Sequence, residues 1–420
     1  VVPASLRIPA FRRLLGAMTL SALGSMMTFI VLPLVAWHET GSTSTFAFIL
    51  AAGALGMLVA MPFGGVITDR FDRRRVMLVG QVLQLVVITS MLLAVRAELW
   101  WLLPAVELLQ TTLGSLTSSA GPALRRDVLT DDVRTEGTAL QTAAMSGVQL
   151  FAPLLGGALY GVVGFSMVMM IDLACVALAL VLVLGLRLDP SVTRPTSAGA
   201  GATGSPLRRA GADIADGLRI ARRDPFLRLD LLGMATSGIS NGIVLVAMVV
   251  WFEQHLGLPA EMWGASLAIM GTSGLVASLV IARIGERVES WRLMVLGTVP
   301  FVGGALLLLG HPGIPRIVVA FVLVGFTNVM LSIASATIVQ RRVASSHQGR
   351  INSLMMCSAQ ATQLVASLGA GLFLDAIGSG PAMQVAVAVL CTTATIYAAA
   401  GFAARTPTRV FTEDELALSA

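Results

Sequence analysis

Residues 64–75 read GGVITDRFDRRR. Asp69 and Asp72 share this short stretch with Arg70, Arg73, Arg74 and Arg75, and a long apolar run lies on either side. A knot of charge like this cannot lie in hydrocarbon, where an ionised side chain has no water around it, so it must be a loop at a membrane face. Gly64 and Gly65, near the end of the preceding run, carry no side chain and let a neighbouring helix come close.

Working outward, the apolar runs are about twenty residues each, enough to cross a bilayer as helices. They fall at 14–36, 45–67, 76–95, 100–120, 137–160 and 165–186, and then at 227–252, 260–281, 291–309, 316–339, 351–374 and 381–403. Composition agrees. The chain is 56% hydrophobic and 12% charged, whereas a soluble domain carries about a quarter charged residues. Mean hydropathy is +0.84. The expected fold is an all-α polytopic membrane protein with twelve transmembrane helices in two bundles of six. Residues 1–186 form the N-terminal bundle, 187–226 a linker, 227–405 the C-terminal bundle and 406–420 a tail.

Arginine placement sets the orientation. With the N-terminus cytoplasmic, all but Arg96 and Arg316 of the 28 basic residues fall on the cytoplasmic side, as the positive-inside rule demands. Both termini are expected on the cytoplasmic face of a bacterial inner membrane, with VVPASLRIPAFRR leading into a retained first helix rather than a cleaved leader. The pI near 10.0 does not call for nucleic acid, because the arginines sit in short loops where they orient the chain and meet lipid headgroups. Cys175, Cys357 and Cys391 lie inside apolar runs without partners at ligand spacing. Neither a disulfide framework nor a metal site is expected.

The linker divides in two. Its first half is rich in Pro, Gly, Ser and Ala and reads as flexible. Its second half, 207–223, sets Ile214, Leu218 and Ala221 among arginines. Two readings are open: an amphipathic helix on the membrane surface, or a solvated linker helix. An internal repeat joins the halves. Arg125, Arg126 and Arg134 recur as Arg341, Arg342 and Arg350, and Gln149, Gly157 and Gly164 recur as Gln363, Gly371 and Gly378. Same-sense repeats of six spans make two pseudo-symmetric halves.

The spacing G-x-x-x-D-R-x-x-R-R from Gly65 resembles the loop between the second and third helices of the major facilitator superfamily. With the twelve spans, the linker and the repeat, the resemblance covers nearly the whole chain. The two arginine loops and the helices after them look like the macrolide-efflux branch of the drug:proton antiporters. Ala152-Pro153-Leu154-Leu155-Gly156-Gly157 is similar to the antiporter motif G-P-x-x-G-G, with alanine for the first glycine. The motif makes Pro153, Gly156 and Gly157 kink and packing positions, although ordinary membrane packing glycines remain the other reading. The resemblance implies gating by Gly65, Asp69, Arg70, Arg73 and Arg74. Asp69 stands near a helix C-terminus, where the helix dipole disfavours negative charge, and its implied partner is the start of the eleventh helix near Arg350. Two departures stand out. Asp72 replaces a usual glycine, and Gln110 replaces an embedded arginine four residues before Gly114.

The chemistry must come from charge left inside the membrane, which is costly and therefore functional by default. Glu107 lies seven residues after Trp100, roughly 10 Å below the outer end of its helix. With Gln110, Thr111, Gly114 and Ser118 it makes a polar stripe at helical spacing. The resemblance implies that the first, fourth, seventh and tenth helices are the central ones; here they hold no other acid well inside the bilayer, so Glu107 and Gln110 are the leading proton-coupling or substrate residues. Asp172, at similar depth in the sixth span, has two open readings: packing against a polar partner, or transport. Asp230 and Glu253 are expected at the interface.

A wider set of cavity-lining candidates comprises Ser25, Thr28, Gln141, Met145, Gln149, Asn241, Met248, Asn328, Ser332 and Gln363. Their small polar groups and adaptable thioethers suit a pocket for varied shapes. Enzyme readings find no support: there is no Walker loop and no H-E-x-x-H, and the four histidines lie at span ends or in loops. The resulting expectation is a secondary transporter, not an enzyme, with no cofactor, acting as a monomer on a small-molecule substrate and protons within the lipid bilayer. Drug efflux against proton influx leads. A facilitator for one natural product, siderophore or lipid-like metabolite, or a nutrient importer, is the alternative.

Overall fold

Backbone N–H and C=O groups find no partners in hydrocarbon, so each apolar run closes its own hydrogen bonds as a helix. The computed structural model describes residues 3–186, 206–259, 262–284 and 288–405, with side chains described for all of these except residues 65, 66, 68–70, 206–210, 284, 345, 346 and 375. The first part of the linker, 187–205, and the tail, 406–420, lie outside the described residues.

The helices are α1 (Pro9–Thr40), α2 (Thr43–Arg70), α3 (Arg73–Arg96), α4 (Leu103–Val128), α5 (Asp131–Leu184) and α6 (Pro206–Arg223). After these come α7 (Pro225–Val250), α8 (Met262–Ile284), α9 (Ser290–Leu307), α10 (Ile314–Arg342), α11 (Ser345–Ile377) and α12 (Ser379–Ala404). Ten helices among the described residues are long and apolar enough to cross a membrane. One of the ten, α5, runs for 54 residues and contains a break at Gly164, with φ 76° and ψ 174°. It therefore supplies both the fifth and the sixth span. The remaining span is α4, which is 26 residues long but carries the polar stripe of Glu107 and Gln110. Each of the twelve expected spans thus has its helix.

Gly164 and its repeat partner Gly378 share one backbone conformation. Gly378 has φ 79° and ψ 162° and stands between α11 and α12. This region of backbone space is open almost only to glycine, so the duplication persists as geometry where the side chains have diverged. Gly164→Ala and Gly378→Ala are each expected to lower stability by about 1–3 kcal/mol. Thermal melting of the purified variants checks this, and an unchanged melting temperature would rule out the conformational requirement.

Helix starts are set by local chemistry. Ser42 accepts a hydrogen bond from the Thr45 amide at 3.2 Å and opens α2. Asp72 accepts from the Arg75 amide at 2.9 Å and opens α3. This accounts for the aspartate where the family pattern has glycine: Asp72 has φ −56°, needs no left-handed backbone, and works as an N-cap.

The chain forms two compact units. The first is Val1–Arg209 with Glu261–Ala268, and the second is Ala210–Ala260 with Ile269–Ala420. In the first, α1 packs along α5, α2 along α4, and α3 against both α4 and α5. Its core includes Met27, Val31, Ile88, Met91, Val106, Met169 and Val176. In the second, α7 packs on α11 and α12, and α9 on α10 and α12. Its core takes in Ile220 and Ala221 of α6, with Ile214 and Leu218 packed alongside. The apolar stripe of α6 therefore packs on protein.

Candidate functional site

The polar interior of the first unit starts on α4. Glu107 is 3% exposed. Its Oε1 faces α2, 3.5 Å from where a Cβ on Gly53 would stand, because glycine there leaves room for the carboxyl. Its Oε2 has no hydrogen-bond partner. One turn along α4, Gln110 is buried with both carboxamide atoms unpartnered. On α3, Gln81 and Gln84 are 0% and 1% exposed. Both amide atoms of Gln81 and the Oε1 of Gln84 lack partners. Gln84 Nε2 lies 3.3 Å from a Cβ built on Gly114, so the α3 and α4 stripes meet.

Of these side chains, Gln81 and Gln84 border a cavity of about 180 Å³, while Glu107 and Gln110 stand outside its lining. Met18, Ser21, Ala22 and Ser25 come from α1, Met77, Gln81 and Gln84 from α3, Gly114, Thr117 and Ser118 from α4, and Met145 from α5. The lining holds no formal charge. It offers hydroxyls and carboxamides to a hydrogen-bonding group and thioethers to an apolar one. Buried polar atoms normally have partners. The orphaned amides here fit a molecule, or water, in the cavity.

Asp172, on the second arm of α5, is fully buried and accepts from Thr28 Oγ1 of α1 at 2.5 Å. It lies against Gly24 so closely that a Cβ there would fall 3.1 Å from the Asp172 Cα. Asp172 therefore has the polar packing partner that one of its two readings requires.

The other sequence candidates scatter. Ser25 and Met145 line the cavity. Thr28 is turned to Asp172. Gln141 accepts from Arg125 Nη1 at the end of α4, and Gln149 is exposed. In the second unit, Asn241 donates to Gln363 Oε1 at 3.1 Å, joining α7 to α11. Met248 is buried in α7, and Asn328 and Ser332 are exposed on α10. Of the motif on α5, Pro153 and Gly157 are buried, and Gly156 faces the backbone of Met27. Asp230, near the start of α7, is fully buried by its neighbours and accepts from Ser335 of α10 at 2.7 Å.

The signature loop is tied into its own unit. Arg73 donates to both oxygens of Asp127 at 2.7–2.8 Å. Arg74 donates to the carbonyls of Val183 and Leu184, which end the sixth span. The position of Gly65 and the side chains of Asp69 and Arg70 fall outside the described side chains. Arg350, the implied neighbour of Asp69, is held within the second unit by Asp213 and Asp216 of α6 at 3.1 and 3.4 Å.

Gln81 and Gln84 were not among the sequence candidates. The signal was present, as two carboxamides three residues apart inside LVGQVLQLVV. If they serve only packing, Gln84→Leu is expected to be neutral or stabilising, because an unpartnered buried amide is replaced by an apolar group of similar size. If they serve the cavity, the same variant keeps or gains melting temperature and loses substrate flux. Measuring both on one preparation separates the roles, and we expect the second pattern.

Two units of membrane-spanning helices, one holding an uncharged cavity with a few polar side chains in its lining, make a multi-pass membrane protein. The Major Facilitator Superfamily model matches residues 14–362 and 231–416, and the chain belongs to that family. It is similar to the multidrug efflux pump Tap of Mycobacterium tuberculosis (strain ATCC 25618 / H37Rv), 25% identical over 400 residues and 92% of each chain. It is also similar to the MFS-type transporter YfiS of Bacillus subtilis (strain 168), 23% identical over 381 residues and 87% of each chain. Among solved structures, the fold matches the nucleoside transporter NupG with a TM-score of 0.75 at 12% identity, covering 94% of this chain and 100% of that one. A bacterial homologue of the iron transporter ferroportin in its inward-facing state matches with a TM-score of 0.68 at 16% identity, covering 94% and 99%.

Proposed function

We propose that the protein exports amphipathic small molecules, drugs and antibiotics among them, in exchange for protons by alternating access. It would work as a monomer in a bacterial inner membrane with both termini cytoplasmic. The observation that carries the reading is Glu107, a carboxyl buried on α4 with one oxygen unpartnered and an uncharged cavity on the same helix. A carboxyl so placed exchanges a proton only when its surroundings change, which is what coupling requires. Protonated Glu107 belongs to the outward-facing state. Proton release on the inner side recruits substrate, and reprotonation outside releases it. The similarity to Tap, named a multidrug efflux pump, supports the direction and breadth of transport.

Flux into proteoliposomes of purified protein, against a panel of amphipathic compounds with an imposed pH gradient, tests the proposal. Accumulation of several unrelated compounds that collapses with the gradient is the expected result. Flux of one compound only, indifferent to pH, would replace it with a dedicated facilitator.

A further inference from the structure

We infer that a groove on the lipid-facing side of the first unit is a binding site for one anionic phospholipid, with its phosphate on Arg75 and an acyl chain along α3. The three consecutive arginines of the signature loop divide their work. Arg73 is spent on Asp127 and Arg74 on the end of the sixth span. The Arg75 guanidinium is exposed and has no hydrogen-bond or ion-pair partner among the described residues.

That cation stands at one end of a groove of about 280 Å³ whose other walls are almost wholly apolar. Ile67 and Phe71 of the α2 end, Val79 and Leu83 of α3, and Leu113 and Leu116 of α4 form it. From Arg75 to Leu83 it follows eight residues of helix, about 12 Å. It therefore begins at the arginine-rich face and runs into the depth occupied by acyl chains. Phe71 and Val79 are 59% and 58% exposed, so no segment among the described residues covers the groove. A cation at headgroup level above an apolar slot complements one molecule in the surroundings of a membrane protein, a phospholipid with net negative charge.

The test is native mass spectrometry of the full chain in detergent, titrated with phosphatidylglycerol and, in parallel, phosphatidylcholine of the same acyl chains. The native chain is expected to retain one phosphatidylglycerol in preference to phosphatidylcholine. Arg75→Gln should lower that retention about fivefold, the weight of one arginine at a membrane surface. Val79→Trp, which fills the slot and leaves the charge in place, should lower retention of both lipids. Arg96→Gln, at the far end of α3, should change neither. Equal retention of the two lipids, or phosphatidylglycerol retention untouched by Arg75→Gln, would overturn the site. Loss with Arg75→Gln but not with Val79→Trp would leave a headgroup contact alone and overturn the groove.

Discussion

Glu107→Gln in proteoliposomes is expected to lose pH-driven accumulation of substrate while retaining downhill exchange. The glutamine keeps the size and hydrogen-bonding reach of the side chain and fixes it in a neutral form. A cycle that needs the proton at this position then stalls under a pH gradient, whereas a cycle that only swaps substrate for substrate continues. The expected loss is about tenfold or more, within the range of coupling between two sites. Both modes belong in the same vesicles, so that a folding defect, which would remove both, is not mistaken for uncoupling. Asp172→Asn is the parallel variant. Because Asp172 bonds Thr28 across the α1–α5 contact, its loss should show first as a lower melting temperature and only secondarily in coupling. Full pH-driven transport by Glu107→Gln, with loss of it in Asp172→Asn, would transfer the coupling role to the sixth span.

The second large effect concerns stability. Arg342 at the end of α10 donates to both oxygens of Asp224 at 2.8–3.1 Å, and to the carbonyls of Ala403 and Ala404 at the end of α12. Its guanidinium also lies over the Phe226 ring. Asp224 in turn caps α7 by accepting from the Leu227 amide at 3.0 Å. The two side chains are 3% and 7% exposed, so water screens them little. One guanidinium thus joins the ends of three helices. Arg342→Met is expected to destabilise the chain by about 3–5 kcal/mol, because it strands a buried carboxylate. Adding Asp224→Leu should recover most of that and leave about 1 kcal/mol for the lost cap. Melting curves of the native chain, the single and the double variant decide it. A double variant no more stable than the single would show that the pair is not the source of the loss.

The sequence made the membrane-spanning plan legible because hydrocarbon punishes errors there. A charge cluster such as 69–75 has one possible location, and an apolar run of twenty residues has one plausible conformation. Glu107 was legible for the same reason, since an acid seven residues into a span needs an explanation. Gln81 and Gln84 were not singled out, because a carboxamide perturbs hydropathy far less than a charge and only packing tells which face it takes. The burial of Asp230 was not legible from its position. It lies five residues into its helix, and only packing shows that Ser335 and the neighbouring helices enclose it. The stripe of α6 stayed ambiguous because lipid and protein are equally apolar. Ile214 and Leu218 read the same whether they meet one or the other.

The break at Gly164 has a bearing on how the chain enters its membrane. The fifth and sixth spans meet with helix on both sides of a single glycine, and the residues around it, LYGVVGFSM, carry no charge. No hydrophilic loop has to be hauled across the bilayer between them. The two spans can enter as one helical hairpin, apolar at its tip, and the arginines of neighbouring loops alone decide which way it points. Gly378 makes the corresponding turn between the eleventh and twelfth spans, but Asp375, three residues earlier in the sequence, gives that hairpin a charge to carry across.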